Sequence, residues 1–285
     1  CGHGFAHAAH MMGRLPFPGR GGIVRMQWFL ALDAWLQALI ASLVMYAMTA
    51  LGAACVFLSK RPKEGVLTVL LGASAGIMIA ASFFSLLLPA IEADGTLPAY
   101  VTVTVGFLLG GAFIVGSDLL LSRTQRSFRT IGDKRTALLY FAVTLHNVPE
   151  GMAVGVAFAA GAGLAASDGA ALAGLLLALG IAVQNFPEGM CVAFPMRARG
   201  MSPVRSFLFA QGSGAVEVPA CVLGALAASA VGSLLPWALA FSAGAMVAVV
   251  CSELIPECFS GNKTLATAGV VVGFCLMMVL DVALG

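Results

Sequence analysis

The run TALLYFAVTLHNVPEGMAVGVAFAA, Thr136 to Ala160, holds a histidine, an asparagine, a proline and a glutamate inside a stretch that is otherwise apolar. A second run, GAALAGLLLALGIAVQNFPEGMCVAFPM, Gly169 to Met196, repeats the pattern 38 residues on, so that His146-Asn147-Val148-Pro149-Glu150-Gly151-Met152 matches Gln184-Asn185-Phe186-Pro187-Glu188-Gly189-Met190. Each run exceeds the roughly 20 residues that a helix needs to cross a bilayer. Six more such stretches surround them. Of the 285 residues 60% are hydrophobic and 10% charged, against about 25% charged in a soluble domain. That balance excludes a water-soluble enzyme or a nucleic-acid binder. The stretches are continuously apolar, whereas a membrane β-barrel alternates apolar and polar at every second residue, so the expected fold is an all-α integral membrane protein.

The eight spans are expected at Ala34 to Leu58, Val66 to Ile91, Pro98 to Leu121, Thr136 to Ala160, Gly169 to Met196, Pro203 to Ala230, Leu235 to Glu257 and Lys263 to Leu284. They form one eight-helix transmembrane domain over 26–285, after a tail over 1–25 that lacks an apolar run and reads as disordered. Three of the four histidines, His3, His7 and His10, fall in this tail. With the N-terminus outside, Lys60, Arg61, Lys63, Arg123, Arg126, Arg129, Lys134, Arg135, Arg197, Arg199, Arg205 and Lys263 all lie on the inner side, twelve of the 15 basic residues. The positive-inside rule then places both termini outside the cell, with the chain crossing the cell membrane, inner or plasma, several times. The seven cysteines include no C-x-x-C pair and read as small core residues.

A longer repeat relates the two ends of the chain. A shift of 167 aligns Ser85, Leu87 and Pro89 with Ser252, Leu254 and Pro256, and Val103, Val105, Gly106 and Phe107 with Val270, Val272, Gly273 and Phe274. The partner spans are five apart, an odd number, so they cross in opposite directions. The expected architecture is a 3+2+3 inverted repeat, a layout common in transporters.

Residues three or four apart share a helix face. His146, Asn147 and Glu150 therefore project together, as do Gln184, Asn185 and Glu188, and the inverted symmetry brings the two faces to the midplane. A lone His or Asn in a membrane helix is ordinarily a packing hydrogen bond. The acids argue otherwise. An unpaired carboxylate at the centre of a membrane helix costs roughly 2.5–3.5 kcal/mol, so Glu150, Glu188 and Glu217 together cost on the order of 8–10, with no Lys or Arg at membrane depth to pair with them, Arg205 and Lys263 standing at the inner ends of their spans. Cations are the missing partner.

The paired motifs, H-N-x-P-E-G and Q-N-x-P-E-G, resemble the signature of the ZIP (Zrt/Irt-like) family of divalent-metal transporters, a resemblance covering all eight spans and the basic loop after the third. It implies a binuclear centre. One site would use His146, Glu150, Gln184 and Glu188 with Met78; the other would use Asn147, Asn185 and Glu217, with Glu150 and Glu188 bridging. Gln184 stands where many members have His, and Asn185 where some have an acid, departures that bear on which metal is preferred. Zinc is the first expectation for the transported ion, with cadmium, iron and manganese as others. No cofactor is implied; the partners are the metal ions and the bilayer, a homodimer is allowed, and nucleic acid is not. Ser85, Glu253 and Asp281 are candidates for lining the route, and Glu92 with Asp94 for its outer mouth.

Two other functions fit less of the sequence. An intramembrane zinc hydrolase needs three protein ligands and an open position for water, but H-E-x-x-H is absent and His146 is the only histidine outside the tail. A passive metal channel would use the same ligands, and inverted repeats favour a carrier over it.

Overall fold

The computed structural model describes residues 28–29, 31–58, 63–93, 97–123, 134–163, 168–230 and 234–284. The expectations for the tail over 1–25, for Asp94 and for most of the basic loop after the third span lie outside them. The chain divides into two units, Cys1–Asp33 and Ala34–Gly285. In the first, Trp28 and Phe29 meet edge to face with centroids 5.9 Å apart.

The second unit is helical, with no strand among its described residues. Helix α1 is Ala34–Ala54, ending in a 3-10 turn over Cys55–Phe57. Helix α2 runs Glu64–Ala81, continues as a π-helix over Ser82–Leu87 and closes as Leu88–Glu92. Then come α3 (Ala99–Arg123), α4 (Lys134–Gly163) and α5 (Asp168–Ala198). The sixth span is two helices, α6a (Pro203–Gly214) and α6b (Glu217–Ala230). Helix α7 runs Leu235–Val249, with a π-helix over Val250–Leu254 and a last turn over Ile255–Phe259, and α8 is Lys263–Leu284. Among the described residues, seven spans are long and apolar enough to cross a membrane. The remaining helix, α4, has 30 residues, about 45 Å at the α-helical rise, and its apolar character is diluted by the polar residues of the motif.

Hydrophobicity does not drive helices together within lipid, so close approach and polar contacts must do so. Helix α2 packs on α8 and α7, and α3 on α7; α1 packs on α5, and α4 on α6b and α5. Contacts of α4 with α7 and of α2 with α5 join the two sets. One contact recurs at the 167-residue shift: a side chain on Gly106 would press on Ala240, and one on Gly273 on the backbone of Ala73.

The π-helices have a visible consequence. Gly76 lies against the α8 backbone at Val270 and Phe274, and nine residues later an unbroken α-helix would point Ser85 the opposite way. One extra residue rotates the remainder of the helix by about 100°. Ser85 then reaches α8, where its Oγ donates to Asp281 Oδ1 at 2.6 Å.

Where α5 ends, Gly200 takes a φ of +94°, a conformation that glycine adopts without strain. Its N–H bonds the Arg197 carbonyl and that of Met201 bonds the Met196 carbonyl, closing the helix in a Schellman turn. Arg199, held at this turn, pairs with Glu257 at the end of α7 at 2.7 Å and donates to Thr136 near the start of α4. Cys191, Cys221 and Cys258 are buried as expected, but Cys251 and Cys275 are exposed, on outward faces of α7 and α8 and not in the core.

Candidate metal centre

Helices α4 and α5 continue through Pro149 and Pro187. Residues at i and i+4 therefore stay on one face, and α4 presents His146, Asn147 and Glu150 where α5 presents Gln184, Asn185 and Glu188. All six side chains are buried, none more than 1% exposed. His146 Nε2 lies 3.7 Å from Glu150 Oε2 and 3.6 Å from Glu188 Oε2. One ligand atom from each of these three residues falls within 4.8 Å of the others. Gln184 Nε2 donates to Glu150 Oε1.

The other three predicted polar residues gather around a break in the sixth span. The sequence predicts a continuous span, but the chain turns at Ala215 and Val216. Pro219 has no N–H, and its ring opposes the carbonyl four residues back, that of Ala215. Glu217 consequently begins a new helix in the interior, fully buried. Asn185 Nδ2 donates to Glu217 Oε1 and Oε2, both at 2.9 Å, and to the Met45 carbonyl at 3.4 Å. Asn147 Nδ2 donates to the Ser213 carbonyl at 3.0 Å, just before the break. Asn185 thus ties Glu217 to the α5 face that carries Glu188.

Buried polar atoms nearly always find a partner, yet a set of atoms here lacks a hydrogen bond: both His146 nitrogens, both Glu188 oxygens, Glu150 Oε2, and the side-chain carbonyls of Asn147, Gln184 and Asn185. All but one of them offer a lone pair, since a neutral imidazole keeps a proton on one of its two nitrogens. Such a donor set suits a borderline cation such as zinc. Met78 is also fully buried, packed in the apolar cluster of α2 and its neighbours. Away from the centre, Asp281 keeps Oδ2 without a hydrogen bond beside the one from Ser85 to Oδ1. Glu253 is half-buried in the π-helix of α7, and Glu92 is exposed at the end of α2.

Sequence reasoning does not reach the backbone groups of the centre, the carbonyls of Met45 and Ser213, because they carry no residue signature. The break itself has one, in Pro219 with Gly214 close before it.

Residues 127–281 match the family model described as ZIP zinc transporter. The chain belongs to the ZIP family. Relatives extend the match over nearly the whole molecule. "Zinc transporter ZIP11" of Homo sapiens is 36% identical, covering 87% of this chain and 97% of its own length. "Zinc transporter GufA" of Myxococcus xanthus is 39% identical over 87% of this chain and 98% of its own. "Zinc transporter ZIPB" of Bordetella bronchiseptica is 36% identical over 87% and 81%. This ZIP protein is thus a multi-pass membrane protein of a transporter family and not an enzyme, which disposes of the hydrolase reading.

Proposed function

We propose that this ZIP protein carries zinc, and with lower preference other divalent transition metals such as cadmium, iron and manganese, across the cell membrane into the cytoplasm through a two-ion centre at mid-membrane. The observation that carries the proposal is the buried triad of His146, Glu150 and Glu188, whose ligand atoms lie within 4.8 Å of one another. Each of the two acids has His146 Nε2 as a neighbour within 3.7 Å, one imidazole against two carboxylates. A divalent ion among them satisfies lone pairs that the protein does not. In the first site His146, Glu150, Gln184 and Glu188 hold the ion, with Met78 as a soft ligand. Asn147, Asn185 and Glu217 hold the second, sharing Glu150 and Glu188. Two acids balance one divalent ion, and a second ion requires the third acid, Glu217.

The packing supports an inverted 3+2+3 arrangement. Exchanging α1 with α6, α2 with α7, α3 with α8 and α4 with α5 turns the α2–α8 contact into α7–α3, α4–α6b into α5–α1, and α2–α5 into α7–α4, all of which occur. The two π-helices exchange as well. A pseudo-symmetric carrier of this kind works by moving one set of helices against the other around a fixed site. Both termini lie outside, by the basic residues of the inner loops.

Uptake of a panel of divalent ions into proteoliposomes tests the proposal. Zinc flux should saturate with concentration, as for a carrier, and both Glu150→Ala and Glu188→Ala should abolish it while the purified proteins remain folded. Uptake at the unaltered level in either variant overturns the assignment, and flux that rises linearly with concentration indicates a channel.

A further inference from the structure

Each N-x-P-E-G motif ends in a glycine in the middle of a helix, where alanine would be favoured. Nothing in metal ligation asks for it. On α4 the reason lies across the interface: a Cβ on Gly151 would sit 2.6 Å from the backbone oxygen of Glu217, 3.0 Å from its Cα and 3.2 Å from Ala220 Cβ. Two of these atoms belong to backbone that cannot swing aside. On α5 the equivalent Gly189 lies against the backbone of Thr49 and Ala53 on α1, where no acid is present. The two glycines are therefore alike in the motif but differ in what they touch.

Asn147 lies one turn before Gly151 on the same face of α4, and its amide holds the Ser213 carbonyl on the near side of the break. The α4 face thus grips the sixth span twice, by a hydrogen bond before the break and by bare backbone contact after it. Glu217 is the first residue of α6b, so the contact at Gly151 sets where its carboxylate stands relative to Glu150, the neighbouring residue in the motif. Resting on the two-ion reading above, we propose that Gly151 is a positioning residue for the second ion, acting by seating the first turn of α6b so that Glu217 reaches the shared carboxylates. Added bulk at this contact lifts Glu217 from the centre and leaves His146, Glu150 and Glu188 in place.

The test is zinc binding by the purified full chain, measured by equilibrium dialysis for wild type, Gly151→Ala, Ala220→Val and Gly72→Ala. Ala220→Val adds bulk to the same contact from the α6b side, and so serves also if Gly151→Ala does not fold. Gly72 makes a contact of matching tightness between α2 and α8, where a Cβ would sit 2.6 Å from the backbone oxygen of Ala266, and controls for an equal clash away from Glu217. Wild type should bind two ions. Gly151→Ala and Ala220→Val should keep the first with unchanged affinity and bind the second about 10- to 100-fold more weakly, the usual loss when a group that orients a metal ligand is altered. Gly72→Ala should keep both. Two ions with unchanged affinities in Gly151→Ala and Ala220→Val overturn the role of Gly151 and leave the two-ion reading standing. An equal loss in Gly72→Ala overturns it too, by making the effect one of general packing. A single ion in wild type overturns the two-ion reading and this role with it.

Discussion

Replacing Glu188 by methionine takes a carboxylate out of the centre and fills its place with an uncharged side chain of similar length. Glu188 is fully buried and neither of its oxygens has a hydrogen-bond donor. Each buried polar atom left unsatisfied costs about 1–3 kcal/mol, which puts the two oxygens at roughly 2–6 kcal/mol. Losing the neighbour that His146 has at 3.6 Å takes back part of that, and a net gain of about 1–4 kcal/mol is expected for the metal-free protein. Zinc should reverse the order. At a free concentration a hundred times its dissociation constant, a ligand stabilises the folded state by about 2.7 kcal/mol, and the variant forgoes this because it lacks the shared carboxylate. The assay is unfolding of the detergent-solubilised protein, by heat or denaturant, in chelator and in buffered zinc. The variant should be the more stable in chelator and unresponsive to zinc. A variant that is less stable in chelator, or that gains as much from zinc as wild type does, refutes the reasoning that Glu188 is held in the interior for a cation.

Three further outcomes are expected. Gln184→His should raise the preference for zinc over manganese in competitive uptake, because imidazole suits zinc better than an amide oxygen does; an unchanged ratio removes Gln184 from the ligands. Glu217→Gln should leave one zinc per chain and slow transport without abolishing it, and in wild type the second ion should be the first lost as pH falls, since protons compete for the ligating carboxylates; two ions retained in the variant, or none, refutes the role of Glu217. A double-mutant cycle on Arg199 and Glu257, 30% and 11% exposed and 2.7 Å apart, should give a coupling of about 0.5–1 kcal/mol in stability, and zero coupling means that the pair does not tie α5 to α7.

The spans are legible because continuous apolar runs in this chain have few alternatives to a membrane helix, and the last, Lys263–Leu284, agrees with its expected bounds at both ends. The triad is legible for a related reason: His146 and Glu150 share a face at a spacing of four, and Glu188 repeats Glu150 in the second motif. Other features depend on partners distant in sequence. Ser85 and Asp281 read separately as candidates for lining the route, and that one bonds the other across 196 positions shows only in the fold. The division of the sixth span is hidden because Gly and Pro are frequent in intact membrane helices too, so Gly214 and Pro219 do not by themselves demand a break. The amide of Asn147 shows a further limit. Its side chain reads as a ligand, yet it also holds a carbonyl of another helix, so replacing it removes two interactions at once.

The two π-helices bear on descent as well as on shape. Ser82–Leu87 and Val250–Leu254 end 167 residues apart, the same shift that aligns the flanking sequences. If both halves descend from one three-helix ancestor that was duplicated and inserted in the opposite sense, the extra residue was already present in that ancestor, since two independent insertions at matching positions are the costlier history. The widened turn is then older than the two-fold architecture.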